Sequence, residues 1–366
     1  MATNASADHR SHNFSAGPAI LPVEVLQRAR EELLNYRGTG SSIMELSHRG
    51  REYVEVDAQA RSRLIELLGL GDDFEVIFLQ GGASTQFMMV PMNFLREGRT
   101  ADYLNTGSWA KKAIKEARII GNVHEAFSSE ENNYNRVPKD SDIRMSENPV
   151  YLHFTSNNTI FGTQQPSEPA SAEVPLVCDA SSDFLSRPID AKRFGLIYAG
   201  AQKNAGPSGV TIVLIRKDFL EGARTEGLPS MVRYKTHAGT MFNTPPTFAV
   251  YMVNLILGWL QEKGGLSAMD LHNREKAKLL YDQIDRDDFY RTPVENDSRS
   301  LMNVVFRLPS EELEKTFLKE AEANDMHGLK GHRSVGGLRA SIYNACPRES
   351  VETLAAFMAD FRKKHG

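Results

Sequence analysis

Short apolar runs alternate with amphipathic stretches between about residue 74 and residue 216. The runs are rich in β-branched and aromatic residues, and apolar residues at helical spacing occupy the intervals, as is usual for parallel strand–helix–strand units. The predicted strands are residues 75–79, 102–105, 151–155, 176–178, 196–199 and 211–215, and the helices predicted between them are residues 86–95 and 110–119. We therefore predict an α/β fold with a doubly wound, mostly parallel sheet.

The flanking regions have different patterns. Amphipathic helices are predicted at 23–36 and 53–68, and the apolar run at 248–260 predicts a buried helix, since crossing a bilayer takes about 20 residues. Further helices at 271–285, 311–323 and 351–363 and strands at 302–308 and 338–343 indicate a smaller α+β domain. We predict a partly disordered N-terminal segment at 1–16, a large domain at 17–260 and a small domain at 261–366.

Composition narrows the choice of partners. The 366 residues are 41% hydrophobic and 25% charged, as in ordinary globular proteins, and are numerous enough for two domains. The formal charge of -4 argues against nucleic-acid or membrane partners, which select a basic excess. Cys178 and Cys346 are too few for a disulfide framework and lack metal-ligand spacing. These two cysteines indicate a reducing, cytoplasmic setting, and we predict no metal site. The first twelve residues lack the apolar core of a secretory signal.

Lys203 is the sharpest candidate for chemistry. It follows a predicted strand among small residues that would let a planar group approach the backbone. An amine that attacks an aldehyde needs a lowered pKa, which partial burial and a neighbouring cation supply. Asp179 ends another strand, where it could pair with a pyridinium nitrogen, although for this aspartate taken alone a turn or helix cap is the better explanation.

Weaker candidates surround these two residues. The segment QGGASTQF at 80–87 joins a strand to a helix whose free N–H groups would suit a phosphate, but such glycines are common without a ligand. Trp109 follows another strand end and could stack on an aromatic ring or lie in the core. Basic residues gather at 47–51 and 330–339, where arginine would suit carboxylate or phosphate groups, or form a solvated cluster.

Together, seven segments resemble the phosphoserine aminotransferase family, in the class V group of pyridoxal phosphate (PLP) enzymes with the aspartate aminotransferase-like fold, fold type I. They span nearly the whole chain, and several are long and unusual enough that chance agreement in this order is not a serious option. The segments are NFSAGPA at 13–19, SIMELSHRG at 42–50, SNNTIFG at 156–162, DASS at 179–182, YAGAQKN at 198–204, MFNTPPT at 241–247 and GHRSVGGLRASIYN at 331–344.

The resemblance implies roles for individual residues. Lys203 would hold PLP as a Schiff base and act as general base, while Asp179 would pair with the ring nitrogen. Trp109 would stack on the ring and Thr159 would contact its edge. The cofactor phosphate would be held by Ala83, Ser84 and Gln202, joined by Asn243 and Thr244 from the second subunit of a homodimer. The substrate site would consist of Arg339 for the α-carboxylate and of His48, Arg49, His332 and Arg333 for phosphate or the glutamate side-chain carboxylate.

The implied reaction transfers the amino group of L-glutamate to 3-phosphohydroxypyruvate, giving O-phospho-L-serine and 2-oxoglutarate in serine biosynthesis. Ser84 departs from the pattern, because some family members have arginine in this loop, where it assists binding of the substrate phosphate. Action on the four-carbon phosphorylated 2-oxo acid of pyridoxine biosynthesis stays open. The alternatives are another class V transaminase or desulfurase, disfavoured by the two His-Arg pairs and the lack of a cysteine in a nucleophile loop, and a catalytically silent PLP-binding dimer.

Overall fold

The computed structural model describes residues 9–366. The helices are α1 (Val23–Glu32), α2 (Arg51–Leu68), α3 (Gly82–Phe94), α4 (Ser108–Ile120), α5 (Lys217–Glu221), α6 (Tyr234–His237), α7 (Thr247–Glu262), α8 (Gly265–Ile284), α9 (Glu311–Ala323) and α10 (Arg348–His365). The strands are β1 (His12–Asn13), β2 (Phe74–Leu79), β3 (Thr100–Asn105), β4 (Asn122–Ser128), β5 (Leu152–Thr155), β6 (Asn157–Asn158), β7 (Thr163–Gln164), β8 (Leu176–Asp179), β9 (Phe194–Gly200), β10 (Thr211–Arg216), β11 (Asn303–Phe306), β12 (Met326–His327) and β13 (Leu338–Ser341).

A seven-stranded sheet in the order β2-β10-β9-β8-β5-β3-β4 forms the centre of the molecule. Only β10 runs antiparallel to its neighbours. All residues of β5, β8 and β9 are buried, and β8 and β9 accordingly appear as mostly apolar runs in the sequence. All six predicted strands of this region are confirmed, with ends shifted by one or two residues.

The sheet separates two apolar cores. Alternate side chains of each strand face opposite sides, so Val76 and Phe78 pack with helices α1, α2 and α7, whereas Ile77 and Leu79 pack with α3 and α4. Helix α7 is buried along most of its length, as predicted for residues 248–260. Across residues 9–366, no helix is both long enough and apolar enough to cross a membrane.

A third core lies under α8, α9 and α10, which pack with the two-stranded sheet of β11 and β13. Phe14 and Ile20 from the N-terminal part of the chain complete this core, and β1 pairs in parallel with β12. The predicted helices and strands beyond residue 260 are confirmed. The domain boundaries stay predictions, and residues 1–8 of the N-terminal segment lie outside the described part of the chain.

One predicted boundary is wrong, and one strand of the central sheet was not predicted. Helix α1 ends at Glu32 rather than at residue 36, because residues 36–38 form a separate 3₁₀ turn in which Arg37 has positive φ. Strand β4 is a missed strand that pairs with β3 at the edge of the sheet. Most of its residues are partly or fully exposed, so it lacks the continuous apolar run that marks the central strands.

Candidate active site

Asp179 and Lys203 lie where two neighbouring strands end. Asp179 is the last residue of β8 and pairs in register with Tyr198 of β9, while Lys203 follows the end of β9 by three residues. In open α/β sheets, this edge, at the carboxyl ends of parallel strands, is where ligands bind. The structure therefore brings together the two residues that the sequence singled out first.

The Lys203 amine lies among polar groups from distant parts of the chain. Its Nζ donates a hydrogen bond of 2.7 Å to Oγ1 of Thr159 and lies 5.1 Å from the centre of the Trp109 ring. Burial lowers the pKa of Lys203, the Asp179 carboxylate opposes this shift, and the charge of Arg339 adds to it, so that the pKa is about 8. A substantial neutral fraction near neutral pH is what a nucleophilic amine needs.

Asp179 is only 4% exposed, and its carboxylate oxygen Oδ1 accepts hydrogen bonds from the backbone N–H and the hydroxyl of Ser181. In the described part of the chain, no hydrogen bond reaches Oδ2. Burial raises the pKa of Asp179, whereas the Lys203 charge and the bonds from Ser181 favour the ionised form. A buried carboxylate with one unengaged oxygen fits a cationic ring nitrogen.

Trp109 lies in the first turn of α4, directly after the predicted strand end. Its indole N–H is buried and has no hydrogen-bond partner in residues 9–366. Gly107 precedes the helix, and a side chain there would overlap the amide of Asn158, which bonds Thr106. This close approach of backbone and side chain positions the indole beside the Lys203 amine.

The N-terminus of α3 lies where the sequence predicts a phosphate cradle, and the phosphate contacts themselves stay a prediction. The helix follows β2 at the same edge of the sheet as β9, packs against β9, and has no side-chain cap. The first N–H groups of a helix lack partners within it, so Ala83 and Ser84 present free donors. Gly81 takes φ 94°, and a side chain on it would collide with Thr85. Whether Gln202 joins these donors stays a prediction.

Asn243 and Thr244 lie beside the residue that precedes this cradle. Gln80 donates from Nε2 to the Thr244 carbonyl at 3.1 Å and accepts from Asn243 Nδ2 at 3.5 Å. These contacts occur within one chain. The supply of Asn243 and Thr244 by a second subunit stays a prediction.

Arg339 reaches the site from β13. Its Nη1 donates to the backbone carbonyl of Thr159 at 3.2 Å, and its Nε is buried without a partner in the described residues. Thr159 therefore contacts both the arginine, through its carbonyl, and the Lys203 amine, through its hydroxyl. No carboxylate forms a salt bridge with Arg339 in residues 9–366, so its fork of N–H donors can bind an anion next to the lysine.

The remaining basic residues divide into two groups. His332 and Arg333 lie in the loop before β13, where burial and the charges of Arg339, Arg333 and Lys112 lower the pKa of His332. His48 and Arg49 lie just before α2. Within the described chain, no hydrogen bond or salt bridge joins His48 or Arg49 to Lys203, Asp179 or Arg339, and their place in the substrate site stays a prediction.

Two neighbours of the site were not assigned a role from the sequence. Ser181 donates a hydrogen bond to the Asp179 carboxylate, and the Nζ atom of Lys112 lies 4.2 Å from the centre of the Trp109 ring. Ser181 had a usable signal, because a serine two residues after a strand-end aspartate commonly closes a turn with it. Lys112 had none, since one exposed lysine on a helix resembles any other.

These observations define a class of protein. An amine with a lowered pKa, a buried carboxylate, an indole and an uncapped helix N-terminus fit an aromatic aldehyde with a ring nitrogen and a phosphate, as in the PLP-dependent aminotransferases. The model of the family described as Aminotransferase class-V matches residues 11–354, and the chain belongs to this family. The predicted family and α/β aspartate aminotransferase-like fold are confirmed.

Named relatives narrow the comparison. The chain is similar to the phosphoserine aminotransferase of Herpetosiphon aurantiacus, with 56% identity over 359 residues, 97% of this chain and 99% of the relative. It resembles the solved phosphoserine aminotransferase of Bacillus circulans subsp. alkalophilus, with 55% identity, a TM-score of 0.95, and coverage of 98% and 99%. The PLP-bound phosphoserine aminotransferase of Trichomonas vaginalis is 40% identical, with a TM-score of 0.91 and coverage of 96% and 100%.

Proposed function

We propose that this chain is a phosphoserine aminotransferase, which transfers the amino group of L-glutamate to 3-phosphohydroxypyruvate and releases O-phospho-L-serine and 2-oxoglutarate. Similarity over nearly the full length of enzymes with that name supports the reaction. The observation that carries the proposal is the meeting of Lys203 and Arg339 at Thr159. A substrate carboxylate bound by Arg339 would lie beside the amine that acts on the neighbouring α-carbon.

The residues of the site fit PLP. Lys203 would bind its aldehyde carbon, Asp179 its ring nitrogen, Trp109 a ring face and Thr159 the ring edge. Ala83, Ser84 and Gln202 would hold its phosphate, with Asn243 and Thr244. When bound, PLP withdraws electrons from the substrate α-carbon and so makes loss of its proton easier.

The protein groups divide the proton transfers among them. The Lys203 amine, with its pKa lowered to about 8, can take the proton from the substrate α-carbon as a general base and return one as a general acid. The Asp179 carboxylate would hold the ring nitrogen and favour its protonated form. Arg339 orients the α-carboxylate with two parallel hydrogen bonds, which fixes the bond to be broken relative to Lys203.

The substrate phosphate needs positive charge and hydrogen-bond donors, and the loop before β13 provides both. His332 and Arg333 lie in this loop, and Arg333 is exposed without a salt-bridge partner in the described residues. Ser84, at the N-terminus of α3, supplies no charge for the substrate phosphate. We therefore assign this phosphate and the glutamate side-chain carboxylate to two pairs of basic residues, His332 with Arg333 and His48 with Arg49. A doubly charged phosphate favours this cluster more than a single carboxylate does.

We also propose a homodimer in which each subunit contributes to its partner's site. His48 and Arg49 lie between Met44 and Val54, two apolar residues that are 52% and 42% exposed in the single chain. A partly apolar surface around basic side chains fits contact with a second copy that brings those side chains to the partner's cleft. Both cysteines are free and buried, which suits the cytoplasmic setting that we propose.

The two half-reactions test this function separately. Purified protein loaded with PLP is mixed with L-glutamate, and the change in cofactor absorbance is followed; 3-phosphohydroxypyruvate is then added. We expect glutamate to change the spectrum and the phosphorylated oxo acid to restore it. No change with glutamate would support the silent PLP-binding alternative, and restoration by a different oxo acid alone would support another class V transaminase.

A further inference from the structure

Ser181 connects the end of β8, which carries Asp179, with the end of β9, which precedes Lys203. Its backbone N–H and its hydroxyl donate to Oδ1 of Asp179 at 3.0 and 2.6 Å, and its hydroxyl oxygen accepts from the N–H of Gly200 at 3.1 Å. Ser181 is only 5% exposed. Among residues 9–366, these are the only hydrogen bonds that the Asp179 carboxylate receives.

The bond from Gly200 fixes the direction of the serine proton. A hydroxyl has one proton, and its oxygen already accepts from the last residue of β9, so the proton is left to point at the carboxylate. A donor aimed at a carboxylate favours the ionised form, most strongly where water is excluded. The Lys203 amine changes its protonation during the proposed reaction, whereas Ser181 donates in the same direction throughout.

The adjacent serine serves a different part of the molecule. Ser182 is 2% exposed. Its hydroxyl donates to the backbone carbonyl of Asn157 and accepts from the side-chain amide of the same residue, and it forms no hydrogen bond with Asp179. The two neighbouring serines are therefore equally buried but differ in whether they reach the carboxylate. This pair supplies a matched control.

We propose that Ser181 is a positioning residue that keeps the Asp179 carboxylate ionised and oriented for the cofactor's ring nitrogen. This role rests on the proposed function. It predicts that removal of the hydroxyl makes Asp179 take up a proton at higher pH. The affinity for PLP should then begin to fall at a higher pH, because a neutral carboxyl no longer attracts the protonated ring.

The test measures the dissociation constant of PLP from apoprotein between pH 5 and pH 9 by absorbance titration. We expect Ser181→Ala to bind PLP on the order of tenfold more weakly at neutral pH and to shift the acidic midpoint upward. Ser181→Thr, which restores a hydroxyl, should recover much of both effects. Ser182→Ala should keep the wild-type midpoint. In Asp179→Asn, which cannot ionise, the acidic midpoint should disappear and only the pH dependence due to the Lys203 amine should remain.

An unchanged midpoint in Ser181→Ala overturns the proposal. If that variant does not fold, Ser181→Cys, with a weaker donor of similar size, decides in the same way, since an unshifted midpoint there also overturns it. Failure of the wild-type protein to bind PLP would instead count against the proposed function. The two ideas can therefore fail separately.

Discussion

Two parts of the candidate site differ in how their charges are held: the strand-end side, formed by Asp179 and Lys203, and the loop side, formed by the loop before β13 and by Lys112 of α4. On the strand-end side, Asp179 is buried and bonded to Ser181, while the Lys203 amine is bonded to Thr159. On the loop side, Arg333 is exposed, and neither it nor Lys112 forms a salt bridge within the described chain. Hydrogen bonds within the chain hold the first group in place, whereas the second group carries positive charge without a counter-charge.

This difference separates two tasks. Groups that move protons must have their pKa values and positions set before the substrate arrives, which requires burial and fixed hydrogen bonds. Groups that attract a dianion need free charge and access to solvent, and their mutual repulsion is relieved when the anion binds. We therefore expect substitutions on the strand-end side to reduce turnover and substitutions on the loop side to weaken substrate binding.

Lys203→Ala should have the largest effect. It removes the amine that binds the aldehyde and moves the proton, so kcat should fall on the order of 10³-fold or more. Steady-state rates with both substrates measure the loss, and absorbance shows whether the cofactor is still covalently bound. Lys278→Ala, which removes an exposed lysine paired with Asp282, is the control. Near-normal kcat in Lys203→Ala would end the assignment.

The pH dependence of PLP capture should be the next largest effect. Only the neutral amine attacks the aldehyde, and burial places the pKa of Lys203 at about 8. The neutral fraction therefore rises with pH, roughly tenfold per unit well below that pKa, and levels off above it. Rapid mixing of apoprotein and PLP from pH 6 to pH 9 measures the rate constant. A rate that stays flat over this range would mean that the amine is not held as described.

Arg339→Lys should have a smaller effect and a different one. Lysine keeps the charge but loses the second parallel hydrogen bond, so KM should rise roughly tenfold for both substrates, since each has an α-carboxylate. The kcat should change less than KM if the residue mainly binds. Arg299→Lys, in a residue that pairs with Asp285 outside the site, is the control. An unchanged KM for glutamate would remove Arg339 from this role.

The sequence allowed more of the strand-end side than of the loop side to be predicted. Asp179 and Lys203 follow continuous apolar strands, and strand ends of a parallel sheet share one edge, so local pattern was enough to bring them together. The meeting of Arg339 with Thr159 depends on how β13 packs beside the segment between β6 and β7. No local pattern encodes a contact between positions so far apart in the chain. The basic cluster at 330–339 made Arg339 one of several possible anion-binding residues, and only the resemblance assigned it to the α-carboxylate.

Polar contacts within the core were also beyond local pattern. Lys276 is buried on α8, where its ammonium donates to the carbonyls of Ile342, Tyr343 and Cys346. In the sequence it appears as one more charge in a charged helix, and its partners become visible only when the chain after β13 packs against that helix. Lysine is rarely buried fully, so its type argued against the position that it takes.

Arg333→Ala tests the loop side, and its effect should be the smallest. An exposed charge contact contributes up to about 1 kcal/mol, so KM for 3-phosphohydroxypyruvate should rise by about fivefold. The KM for glutamate should rise less, because its side-chain carboxylate has a single charge where the phosphate has up to two, and kcat should stay near that of the wild type. Steady-state assays at low and high salt measure both constants.

The dependence on salt concentration shows whether Arg333→Ala raises KM because it removes a charge. Added salt screens exposed charges, so the difference between Arg333→Ala and the wild type should shrink as ionic strength rises. Lys315→Ala, which removes an equally exposed charge from α9, should leave KM unchanged at every salt concentration. A fall in kcat with an unaltered KM in Arg333→Ala would show that the loop takes part in the chemical step. The division of the site into a strand-end side and a loop side would then not hold.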